Sequence, residues 1–139
     1  GMDGNGSDEI RELSRKVVGV ELLGFVDEKT LVELYANCRA FVYPSFWEGF
    51  GMPLLEAMAQ GCVCVSTQSG ASPEVGGDAV LYVDPCSIDS IAAGILTVER
   101  MSLLARNTMK ELAYKRSKLF TFDEYYNKVK EALLSRSEF

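Results

Sequence analysis

Apolar positions along the chain fall into two alternating patterns. Four short apolar runs, Val20–Leu23 (with one acid, Glu21), Ala40–Tyr43, Cys62–Ser66 and Val80–Val83, predict strands, covered on both faces in a parallel sheet. Between them, apolar residues recur at helical spacing. A helix capped by Ser7 or Asp8 is expected to reach about Val18, with Ile10, Leu13 and Val17 along one side. Asp27 is placed to cap a second helix through Ala36, with Leu31, Leu34 and Tyr35 inward. A third begins at Pro53, whose fixed φ and missing N–H suit a first helical turn, and ends at Gly61. Ile88–Val98 reads as helical, Met101 to about Leu119 as one or two helices, and Phe122–Ser135 as a last amphipathic helix. The opening GMDGNGS is glycine-rich and reads as a flexible loop over residues 1–7, and the stretch before Val80, rich in Gly, Ser and Pro, also reads as loop. Strand and helix alternate four times, which predicts an α/β fold with a Rossmann-like parallel sheet and flanking helices.

Composition narrows the chemistry. The 139 residues suffice for one domain with a core, and 47% of them are apolar. The net charge of −6 makes a nucleic-acid backbone a poor partner. There is no histidine, which removes Ser-His-Asp and Cys-His catalysis and every His-based metal site. Cys38, Cys62, Cys64 and Cys86 have no zinc-type spacing; they read as small reduced core residues, which points to a cytoplasmic chain. No apolar run is long enough to span a membrane and no secretory signal opens the sequence.

The stretch Tyr43–Gly61, YPSFWEGFGMPLLEAMAQG, carries the candidate site. A strand ends, a glycine-containing loop follows, and a helix begins. In open parallel α/β sheets, ligands bind at the carboxyl ends of strands. A helix N-terminus adds free N–H groups and the positive end of the helix dipole. The amides of Phe50, Gly51 and Met52 are therefore candidate donors to an anion or a sugar hydroxyl, and Gly49 and Gly51 allow close approach. Glycines in this position more often mark only a tight turn.

Glu56 sharpens the case. Its helix is apolar on nearly every side, which predicts burial and a carboxylate in need of partners. No Lys or Arg lies between Arg39 and Arg100 to neutralise it, while acids recur throughout that span. A carboxylate is a good acceptor for vicinal hydroxyls. The plainer reading is a glutamate favoured by its own helix N-terminus. Glu48, with seven residues between it and Glu56, stands in the loop. The pair could hold hydroxyls of one ligand, or act as the acid and base of a glycosidase.

The run PSFWEGFGMPLLEAMAQGCVCVSTQSGASPEVGGDAVLYVDP resembles the C-terminal domain of retaining, GT-B-fold glycosyltransferases with a Glu-x7-Glu motif, the group 1 family. VELLGFVDEKTLVELYANCRAFVYPS resembles the preceding strand-helix-strand, and FTFDEYYNKV the terminal helix. The resemblance implies that Glu56 binds the ribose hydroxyls of a nucleotide-sugar and that Glu48 lies at the reacting centre. It implies that Gly49, Phe50, Gly51 and Met52 meet the sugar and the diphosphate, and that Gly24, Phe25 and Val26 fall at the base pocket. No metal or other cofactor is implied. Glu74 is read equally as a structural cap or a residue near the site, and Trp47 as lining or rim.

The resemblance also implies what these residues lack. The family's acceptor-binding N-terminal domain is expected to lie outside them, as are the first two strands of the C-terminal domain, the helix between them and the basic loop that follows the first strand. The chain is therefore expected to be a single partial domain over 1–139, inactive or nearly so alone. In the strand order 3-2-1-4-5-6 the absent strands are central, so the Val20 strand would be cut off from the rest. Rearranged pairing or self-association is the expected remedy. The parent would act in the cytoplasm or at the cytoplasmic face of a membrane. The alternatives are a non-catalytic nucleotide-binding or self-assembling module and, last, a glycoside hydrolase.

Overall fold

The computed structural model describes residues 7–121, 123 and 124. The helix expected over Phe122–Ser135 lies outside them except for Asp123 and Glu124, and the glycine-rich start except for Ser7. The chain divides into two compact units, with the boundary between Glu33 and Leu34.

The first unit contains α1, Ser7–Lys16, and the start of α2, Glu28–Asn37. Acids open α1 and bases close it, as the helix dipole favours. The expected stripe of Ile10, Leu13 and Val17 remains about half exposed. Asp27 caps α2, its Oδ1 accepting the Thr30 N–H at 2.7 Å. Val20–Leu23 does not form the expected strand. A strand exists only as a member of a ladder, and no strand of the sheet pairs with this run. Its Val20, Leu22 and Leu23 are half exposed. Rearranged strand pairing is therefore not how the sheet is completed among the described residues.

The second unit holds the sheet. Strands β1 (Phe41–Tyr43), β2 (Cys64–Thr67) and β3 (Val80–Val83) are parallel and lie in the order β1-β2-β3. Register is set by Val42 opposite Val65 and Val65 opposite Leu81. The crossover from β1 to β2 runs through α3, Met52–Ala59, and that from β2 to β3 through α4, Ser72–Gly76, and a 3-10 turn, Gly77–Ala79. The short α4 replaces the expected loop, since Ser-Pro supplies a helical first turn. Two longer helices follow, α5 (Ile88–Arg100) and α6 (Leu103–Ser117), capped by Ser87 and Ser102. The uncertain stretch after Met101 is thus a single helix.

Alternation along β2 divides its side chains between two faces. Val63 and Val65 join Val83 and Val98 in the core, with Val42, Leu81, Ile91 and Met109 packed around them. On α3, Leu54, Ala57 and Met58 are fully buried. Arginines supply the remaining ties. Arg106 donates to the carbonyls of Arg39 and Val98 at 2.8 and 2.7 Å, and Arg116 to those of Glu74 and Val75 at 2.5 and 2.7 Å.

Helix α5 can approach the sheet because Gly94 has no side chain. A Cβ there would stand 2.6 Å from Cγ1 of Val83 and 3.1 Å from Cγ1 of Val65. Gly94→Ala is expected to destabilise the chain by about 1–3 kcal/mol, as overpacked cores do. Urea unfolding monitored by circular dichroism checks this.

Candidate functional site

The site is built by the way the chain leaves β1. At the carboxyl end of β2, the fully buried hydroxyls of Ser66 and Thr67 donate to the carbonyls of Tyr43 and Ser45, at 3.1 and 2.7 Å. The loop that follows β1 is thereby fixed to the neighbouring strand. Further on, Ala71 N–H donates to the Glu48 carbonyl at 3.1 Å. Gly70, with φ 55°, lies flat against the same backbone; a Cβ there would collide with the Glu48 carbonyl oxygen and stand 2.9 Å from its nitrogen. Tyr43, Ser45 and Glu48 are thus held from the β2 side.

The loop then turns into α3 through Gly51, whose φ of 83° and ψ of 45° place it in the left-handed region. Gly51 has no side chain to cap the helix, and Pro53 has no N–H to be capped. Leu54 and Leu55 both donate to the Gly51 carbonyl, at 3.0 and 3.2 Å. Among the described residues, the N–H groups of Phe50, Gly51 and Met52 donate to no protein acceptor. The helix end is a cluster of unpaired donors at the positive end of a helix dipole, with Phe50 and Met52 exposed and Gly51 buried between them.

Two carboxylates accompany it. Glu48 is half-buried and accepts twice at one oxygen: Tyr43 Oη donates to Oε1 at 2.5 Å and Ser45 Oγ at 2.7 Å. These bonds hold its carboxyl below the usual glutamate range. Burial, followed by the bond to Glu48, pushes the Tyr43 phenol up to about 12. Glu56 differs from its expected state, for it is exposed. Met52, Glu56 and Gln60 share one exposed face of α3, four residues apart, while Leu54, Ala57 and Met58 take the buried one. The apolar run therefore has a wet side. Tyr35 Oη stands 3.5 Å from Glu56 Oε2, a long contact that leaves the carboxylate open to other donors. Burial and the Glu56 charge push the Tyr35 phenol up to about 12.

The two tyrosines are joined by packing. Tyr35 meets Phe41 edge-on at 5.2 Å, and Phe41 stacks on Tyr43 at 5.6 Å. Beneath Tyr35, the Cys62 thiol donates to its carbonyl at 2.7 Å and lies 3.5 Å from the Cys38 sulfur. All four cysteines are free; Cys62 and Cys64 are buried as expected, whereas Cys86 is exposed.

The structure brings Glu48, Gly49, Phe50, Gly51, Met52 and Glu56 into one loop and helix start. Gly24, Phe25 and Val26 belong to the first unit, in the irregular segment before α2, where Gly24 has φ 67° and Phe25 is exposed. Trp47 is 76% exposed beside Glu48, and Phe50 meets Phe120 at 6.1 Å. Glu74 is exposed in the first turn of α4, and its carbonyl receives Arg116. Sequence reasoning missed Tyr35, Tyr43, Ser45 and Gly70. Only Gly70 carried a signal, a glycine ahead of Ser-Pro at the end of a strand. Among the described residues, no group of three or more Cys, Asp or Glu could hold a metal ion, and no helix is long and apolar enough to cross a membrane.

Comparison with known proteins places this geometry. The family model for glycosyl transferases group 1 matches residues 1–116. The chain is 51% identical to the O-antigen chain mannosyltransferase B of Escherichia coli over 77 residues, 55% of this chain and 20% of that protein. It is 34% identical to the O-antigen chain mannosyltransferase RfbU of Salmonella typhimurium over 101 residues, 68% of this chain and 29% of that protein. A sucrose-phosphate synthase from Thermosynechococcus elongatus superposes with a TM-score of 0.79 at 22% identity, over 96% of this chain and 35% of the other. That likeness establishes a GT-B-type fold for the described sheet and helices. The chain spans less than a third of the length of either curated relative.

Two outcomes test the geometry. Gly70→Ala must hold a left-handed φ, at about 1–2 kcal/mol, and also displace the Glu48 backbone; its melting temperature should fall and the Glu48 amide resonance should shift. Second, Tyr35 and Tyr43 are neutral in the folded chain up to about 12 but ionise near 10 when unfolded. Their stabilisation is complete below pH ~10 and is lost as pH rises toward ~12. Urea midpoints should fall across that window, and less steeply in a Tyr35→Phe, Tyr43→Phe double variant.

Proposed function

The chain belongs to the group 1 glycosyl transferases, and we propose that it is the donor-binding part of an enzyme that moves a sugar from a nucleotide-sugar to an acceptor hydroxyl with retention. The observation that carries this reading is the cluster of unpaired amides of Phe50, Gly51 and Met52 at the start of α3 among the described residues, flanked by Glu48 and Glu56. Backbone N–H groups suit a diphosphate whose charge grows as the sugar departs, because they are already oriented. In this reading the exposed Glu56 accepts the ribose hydroxyls, and Glu48 accepts from the donor sugar. Gly49 and Gly51 let the sugar approach, and Gly24, Phe25 and Val26 contact the base. No metal is required, since amides do the work that a divalent cation would otherwise do at the diphosphate. Mannose is the proposed sugar, a choice supported by the names of the two curated relatives.

Residues 40–99 contain no Lys or Arg but several acids, so the donor meets a repulsive field. Affinity should be weak, and the chain on its own should turn over slowly or not at all. Acceptor recognition is assigned outside these residues, and the cytoplasm is the proposed location, where nucleotide-sugars would be met.

Calorimetric titration with GDP, UDP and ADP and their mannose conjugates tests the reading. Saturable binding of one of them is expected. Glu56→Ala should weaken it about 10- to 100-fold, the range for a lost hydrogen bond to a charged group. Binding that is equal in wild type and Glu56→Ala would contradict the assignment. No binding at millimolar ligand by any nucleotide-sugar would favour a non-catalytic, self-assembling module instead.

A further inference from the structure

The Glu48 carboxylate is held asymmetrically. Tyr43 Oη and Ser45 Oγ both donate to Oε1, at 2.5 and 2.7 Å, and no protein group among the described residues donates to Oε2. Tyr43 is itself rigid. It is the last residue of β1, its carbonyl accepts from Ser66 Oγ at 3.1 Å, and its ring stacks on Phe41 at 5.6 Å. Ser45 is fixed in turn by Thr67 Oγ1, which donates to its carbonyl at 2.7 Å. Tyr43 thus stands on the sheet and Ser45 is tied to it through its carbonyl, whereas Glu48 stands further along the loop.

We propose that Tyr43, with Ser45 as its second hand, is the positioning residue for Glu48, turning Oε2 toward the ligand as the single oxygen that receives a sugar hydroxyl. The inference rests on the donor-binding reading above. It adds that the specificity of this carboxylate comes from the strand before it. A free glutamate on a loop offers two equivalent oxygens and several rotamers. One with Oε1 occupied offers one acceptor in one direction, so only a hydroxyl at the matching position of the sugar is received well. The same bonds favour the ionised form of Glu48, and its carboxyl lies below the usual range. The carboxylate therefore stays an acceptor as pH falls through the ordinary glutamate range.

The variant Tyr43→Phe removes the hydroxyl and keeps the stacked ring. Two readouts are taken on the full chain: the carbon-13 titration of the Glu48 carboxyl, and calorimetric affinity for the mannose nucleotide that wild type binds. The expected result is a higher Glu48 midpoint and a several-fold weaker affinity, with the near-ultraviolet circular dichroism of wild type. Ser45→Ala should move both readouts the same way, which keeps the test intact if Tyr43→Phe folds poorly. An unmoved midpoint in both variants overturns the inference. So does a raised midpoint with unchanged affinity, because the hydroxyls would then tune charge without directing the ligand. If wild type binds no mannose nucleotide, the donor reading fails and takes this role with it. A wild type that binds, beside variants that bind equally well, overturns the positioning role alone.

Discussion

The candidate site depends on the attachment of one loop to the carboxyl end of β2. Ser66 and Thr67 are fully buried, yet each has a partner, the backbone carbonyls at the exit of β1. A buried hydroxyl without a partner is costly, so these two bonds fix the path of residues 43–45. The close approach of Gly70 and the Ala71 amide extend the hold to Glu48. The start of α3 and the direction of Glu48 follow from where that loop is placed.

Electrostatics explains why the loop has this character. The stretch that forms the site contains acids and no bases, and Arg116 spends its guanidinium on the carbonyls of α4. Within that stretch, what remains to meet an anion is backbone. Free amides at a helix start carry partial positive charge without a counter-ion and without side-chain entropy to lose. The carboxylates beside them are acceptors, suited to hydroxyls. Together they suit the proposed ligand, a sugar nucleotide, which is anionic at one place and hydroxylated at two others.

Much of the sheet was legible in the sequence because its strands are continuous apolar runs closed by turn residues. The runs at Phe41, Val63 and Val80 appear where expected and in the expected order. Val20–Leu23, apolar but for Glu21, forms no strand, because local pattern does not provide a pairing partner. Glu48, Gly51 and Met52 could be placed from the Gly-containing loop before Pro53. The exposure of Glu56 could not be read from a run with so many apolar residues, since the three-dimensional face is set by Leu54, Ala57 and Met58. The tyrosine partners of both carboxylates were also out of reach. Tyr35 and Glu56 meet across 21 positions, and the Tyr43 bond depends on how a loop turns back on its own strand.

The central claim is that the start of α3 receives the donor. Amide nitrogen-15 spectra recorded while GDP-mannose, UDP-mannose and ADP-mannose are added in turn test it most directly. The account predicts that one of them shifts the amides of Phe50, Gly51 and Met52 first and most, with a single saturation curve. Shifts that spare these three amides, and gather instead around Gln68 and Asp84 at the ends of β2 and β3, would contradict it.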